Sequence, residues 1–163
     1  MWIEGDVTFN ESLASFVGEA GALLWLQQKY GKDASVVQQV LDAGDDAIVF
    51  RGFMHQIAAE LDSLYQSDLD RETKVANRQA IFDRAKEAYY HLPLKTHLYD
   101  GFPTWSLNNA RMALYRVYRA RTDVFERVFE RVNKQLPEAI SVLKRCETAS
   151  DPSAYLEKWL EEK

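Results

Sequence analysis

The chain is poor in the residues that build cross-linked or turn-rich folds. One cysteine, Cys146, stands among 163 residues, which excludes an internal disulfide framework and a thiolate metal cage. Seven glycines and four prolines are fewer than ordinary usage and supply too few turns for a sandwich or barrel of short strands. No apolar run approaches the ~18 residues that span a bilayer. The start, Met1-Trp2-Ile3-Glu4-Gly5-Asp6, lacks the basic head and apolar stretch of a signal peptide. Basic residues are outnumbered, 20 Lys and Arg against 25 Asp and Glu, for a net charge of −5. That balance gives no general pull on nucleic acid, and no nucleic-acid partner is expected. What the chain does have is core material. Hydrophobic residues make up 47% and aromatics 12%, enough for a single core at this length.

The apolar residues recur at helical spacing almost throughout. Thr8 to Tyr30 places Phe9, Leu13, Phe16, Val17, Ala20 and Leu24 on one face, and Gly31 stops the helix. Asp33 or Ser35 opens a second segment through Leu41, which Gly44-Asp45-Asp46 interrupts or kinks before a helix over Ala47–Tyr65. Asp70 is the expected N-cap of a helix from Arg71 to His91. Leu92 to Pro103 has no clear period, and Trp105 to Arg121 returns to helix. Asp123 to Gln135 is the cleanest amphipathic stretch, with Val124, Phe125, Val128, Phe129 and Val132 inward and Asp123–Arg127 and Glu130–Lys134 pairs at i, i+4. Pro137 and Pro152 each begin a further helix. The expectation is an all-α protein, a single multi-helix domain of about seven helices spanning 1–163.

The first helix holds the most information. Opposite its apolar face stand Ala14, Gly18, Gly21, Ala22 and Trp25, with Glu11 and Ser15 among them. Glycine inside a helix costs about 1 kcal/mol relative to alanine, so two on one face point to an element packing close by. A carboxylate covered there needs a cation, a metal or a set of donors. A second reading stands beside it: Thr8-Phe9-Asn10-Glu11 has the form T-x-x-E, in which Glu11 would accept the Thr8 amide as a capping box.

Asn10-Glu11-Ser12-Leu13-Ala14, inside a segment that runs from Gly5-Asp6 to Val17-Gly18, resembles a bacterial family of predicted zinc aminopeptidases. These look like gluzincins, metallopeptidases that pair an H-E-x-x-H helix with a downstream N-E-x-x-A/S helix. The resemblance continues through Gly21, Trp25-Leu26, Arg71…Lys74…Phe82 and Leu107-Asn108-Asn109-Ala110, with Tyr118 and Phe125 following. It implies that Glu11 is the third zinc ligand, beside two histidines one helical turn apart. Asn10 and Ser15 would then orient that ligand by hydrogen bonds, and a glutamate between the histidines would act as general base.

The chain departs from that pattern in its histidines. None of its three, His55, His91 and His97, lies in H-E-x-x-H. The expectation is therefore the C-terminal portion of a metallopeptidase-like catalytic domain, with no catalytic residue of its own. Zinc belongs to the complete protein and none is expected on this chain alone. The peptide substrate likewise belongs to the complete protein, and similar proteins look directed to the periplasmic side of the cell envelope. A non-catalytic helical protein-interaction module is the alternative, with a homodimer through the Thr8–Tyr30 helix.

Other residues each carry two readings. Asn108-Asn109 would bind peptide backbone, or cap a helix start. Arg111, Arg116, Arg119 and Arg121, and again Arg71, Lys74 and Arg78, would take a carboxylate or phosphate, or form solvated faces. Tyr89, Tyr90 and Tyr99 would offer a phenol to an oxyanion, or pack. Cys146 reads as a small apolar residue.

Overall fold

The computed structural model describes residues 2–113 and 122–162. These residues form helices joined by turns, with no strand among them, as an all-α fold requires. The helices are α1 (Val7–Tyr30), α2 (Ser35–Gln66), α3 (Arg71–Tyr89), α4 (109–113 in its described part), α5 (Thr122–Arg131), α6 (Leu136–Lys144) and α7 (Pro152–Glu161). Two 3-10 turns, Phe102–Thr104 and Arg145–Thr148, complete the set. The chain groups into two compact units, one of Met1–Lys29 with Ala113–Lys163 and one of Tyr30–Met112.

The first unit closes over aromatic and aliphatic side chains drawn from α1, α5, α6 and α7. Phe9 and Phe125, both fully buried, meet edge-to-face with centroids 5.1 Å apart, the arrangement aromatic pairs prefer. Phe16 adds an edge contact to Phe129 at 5.7 Å. Val128, Leu143, Cys146 and Leu156 fill the remainder. The apolar stripe of α1 faces this core as its periodicity requires. Asp151 caps α7, accepting the Ala154 amide at 2.9 Å, with Pro152 as first helical residue.

The second unit pairs α2 with α3. Asp70 caps α3 as expected, accepting the Thr73 amide at 2.9 Å. The segment without a clear period folds onto α2 through aromatic rings. Phe50 stacks on Tyr99 at 3.9 Å and meets Phe102 at 5.3 Å and Trp105 at 6.0 Å.

Several boundaries differ from the sequence expectation, each for a local reason. Gly44-Asp45-Asp46 does not break α2, because Asp46 turns inward to bind a distant loop. Trp105–Asn108 is not helical: Asn108 accepts the Arg111 amide at 2.9 Å and so starts the helix later. The rest of the expected Trp105–Arg121 helix, residues 114–121, lies outside the described residues, and with it Arg116, Tyr118, Arg119 and Arg121. The α5 helix ends at Arg131 because Asn133 and Lys134 take left-handed backbone, φ 52° and 60°. The Lys134 amide then closes on the Phe129 carbonyl at 2.9 Å. Lys134 still reaches Glu130 at 3.0 Å, whereas Arg127 forks onto Glu157 of α7, both bonds 2.8 Å.

Candidate functional site

The start of α1 is built around Asp6. Its carboxylate accepts the Phe9 amide at 2.9 Å, and its carbonyl accepts the Asn10 amide at 3.1 Å. Asp6 is thus the N-cap. The capping box expected of Thr8 and Glu11 does not form, since both residues already lie inside the helix. Glu11 therefore makes no capping contact.

The residues before the helix are tied back onto it. Asn10, 6% exposed, accepts the Ile3 amide at 2.9 Å and donates to the Ile3 carbonyl at 2.7 Å. The Trp2 amide donates to Glu147 at 3.2 Å. Asn10 therefore holds the entering strand of chain in place, a task its spacing from Glu11 had not revealed.

These ties shape a groove of about 360 Å³ in the first unit, between α1 and α6. Trp2, Ala14 and Val17 line one side and Ile140 and Leu143 the other, with Glu11 and Lys144 as its two charged groups. Glu11 is half-buried and has no hydrogen-bond or ion-pair partner among the described residues. Ser15 is half-buried one turn on. Ser12, which nothing in the sequence singles out, is fully buried, and its hydroxyl finds no partner among the described residues.

The small-residue face of α1 is open. Ala14, Gly18 and Ala22 are exposed, and Trp25 is 54% exposed. A Cβ at Gly18 would meet nothing within 4 Å, and one at Gly21 only the Leu136 side chain at 3.8 Å. The element expected to press on these glycines is not among the described residues.

Metal donors are sparse. Among the described residues no three of His, Cys, Asp and Glu lie together in a position to hold an ion. His55, His91 and His97 all belong to the second unit and all are exposed. His97 is paired through Nδ1 with Asp100 at 2.7 Å. One carboxylate in a groove does not fit zinc by itself, because such sites need three or four protein ligands.

The remaining candidates resolve within their own units. Asn108 spends its side-chain oxygen on the helix start, and Asn109 accepts the Tyr65 hydroxyl at 2.7 Å. Tyr89 is buried against Phe102, with burial first and the Asp100 charge second raising its pKa. Tyr99 packs on Phe50. Arg111 lies over the Trp105 ring at 4.8 Å. Cys146 is fully buried, and burial pushes its thiol up to about 11, so it stays protonated and inert.

The most strongly held charge escaped the sequence reading. Asp46, 1% exposed, accepts the Lys95 and Thr96 amides at 2.7 Å each and the Thr96 hydroxyl at 2.6 Å. Burial opposes its ionisation. The Thr96 hydroxyl, the two amides and the Lys95 charge outweigh that and keep its pKa below the ordinary value. Its only signal in the sequence was a Gly-Asp-Asp inside a helical period.

Fold and groove together define an all-helical protein with a half-buried carboxylate at a largely apolar cleft. The family model described as "Putative aminopeptidase" matches residues 1–155. The chain belongs to that family. No curated protein matches it, and no solved structure does.

Proposed function

We propose that the chain is the helical C-terminal part of a zinc-dependent aminopeptidase, supplying Glu11 as one metal ligand and its groove as part of the peptide cleft. The observation that carries this reading is the state of Glu11. It lines a cleft, has no side-chain partner among the described residues, and is excused from capping by Asp6. A carboxylate left so on an apolar wall is poised for a cation supplied from elsewhere. Membership of the aminopeptidase family names the chemistry such a carboxylate would serve. The two histidines and the general base would come from an H-E-x-x-H helix beyond these 163 residues.

Elemental analysis tests the ligand role. The 163-residue chain should carry no stoichiometric zinc. A longer protein with the H-E-x-x-H segment ahead of Met1 should carry about one zinc per molecule and lose most of it on Glu11→Gln. Zinc retained by the short chain, or kept by the long one after Glu11→Gln, overturns the assignment.

A second reading is favoured by the open face of α1. Exposed Ala14, Gly18 and Ala22 beside Trp25 suit close approach of another helix, as in a helical interaction module or a homodimer through α1.

A further inference from the structure

The first turns of α3 present a second site, remote in the sequence from Glu11. Arg71, Lys74 and Arg78 fall at i, i+3 and i+7, hence on one helix face. With Tyr65, Leu69 and Val75 they line a groove of about 300 Å³, at the small end of the range for ligand pockets. In a chain of net charge −5 three cations gathered on so small an apolar groove are a local feature, not a reflection of composition.

Among the described residues none of the three forms an ion pair with a neighbouring acid. Asp70 spends its carboxylate on Thr73, accepting the amide and the hydroxyl at 2.9 Å each. Lys74 donates one hydrogen to the Tyr65 carbonyl at 3.0 Å. Arg71 and Arg78 have no carboxylate partner among the described residues, and the Arg78 Nε is buried with no acceptor. Farther along the same helix Arg84 is paired, with Glu60 at 3.0 Å. A guanidinium nitrogen left without an acceptor is costly, and the rest of the arginine fork matches the geometry of a carboxylate or phosphate. The apolar walls are set: Tyr65 is fixed by its hydroxyl on Asn109 at 2.7 Å, and Leu69 and Val75 stand 44% and 47% exposed.

We propose that this groove binds a small organic anion, a carboxylate or phosphate group carried on an apolar body. The anion is forked by Arg78 and Arg71 and steadied by Lys74, while Tyr65, Leu69 and Val75 cover the body. The site needs no metal and stands whether or not Glu11 is a zinc ligand.

Calorimetric titration of the 163-residue chain at low salt with benzoate and with phenyl phosphate tests it. At least one probe should saturate, and the tighter of the two identifies the anion class. Arg78→Gln and Arg71→Gln should each weaken binding about tenfold or more, with Arg78→Lys between them and the parent. Arg84→Gln should leave affinity unchanged. Circular dichroism of each variant establishes that the helices persist. Failure of both probes to saturate by about 10 mM, or affinity unchanged in both Arg71→Gln and Arg78→Gln, overturns the proposal.

Discussion

Asp46 is the residue on which the second unit's irregular segment hangs. Two amides and a hydroxyl converge on it from Lys95 and Thr96, about fifty positions away in the chain. Removing the acceptor strands those donors, so Asp46→Ala should destabilise the protein by about 2 kcal/mol, measured by urea denaturation. The pH dependence follows from the sign of the shift. With its folded pKa below the ordinary 3.8, Asp46 contributes stability that is present above that value and lost as the pH falls through the folded pKa. Relative to Asp46→Asn, the parent protein should therefore lose stability on acidification below about pH 4. An unchanged difference between the two across that range would remove the ionised carboxylate from the account. Asn10 teaches a related lesson. The resemblance implies that it orients a metal ligand, and in the structure its amide is engaged with the Ile3 backbone.

At the scale of elements, the boundaries were decided by caps. Asp70 was legible as an N-cap because it precedes a clean apolar period, and Pro152 marked the start of α7, which Asp151 caps. At α1 two candidates competed, and the T-x-x-E pattern pointed two residues too far along. Asp6→Ala should cost about 1 kcal/mol of stability, whereas Thr8→Ala should stay within about 0.5 kcal/mol. Thermal melts of the two variants side by side check this, and the reverse order would restore the capping box. The continuity of α2 was not legible. Gly44-Asp45-Asp46 reads locally as a break, and only the distant donors that Asp46 meets explain why the helix runs through it. The end of α5 was half legible, since Asn133 tolerates left-handed backbone but nothing local in Lys134 announces a second left-handed residue.

On the scale of the molecule, the open face of α1 is the feature that asks for a partner. If that partner is a second copy, sedimentation at high concentration should show a dimer that Trp25→Glu dissociates. A chain that stays monomeric at the highest attainable concentration would end the dimer reading. The all-α fold, the apolar faces of α1 and α5 and the buried state of Cys146 follow from spacing and composition, and these the sequence determined by itself. Periodicity sets them because a helix must turn its apolar stripe to a core, whatever core it meets. Tertiary structure alone decided that Glu11 lines a groove. It alone left the Arg78 Nε without an acceptor among the described residues and gave Asp46 three donors from beyond its own helix. The Asp46 bonds depend on which polar atoms meet across about fifty positions of chain, and hydrogen bonds of that kind leave no period in the sequence to read.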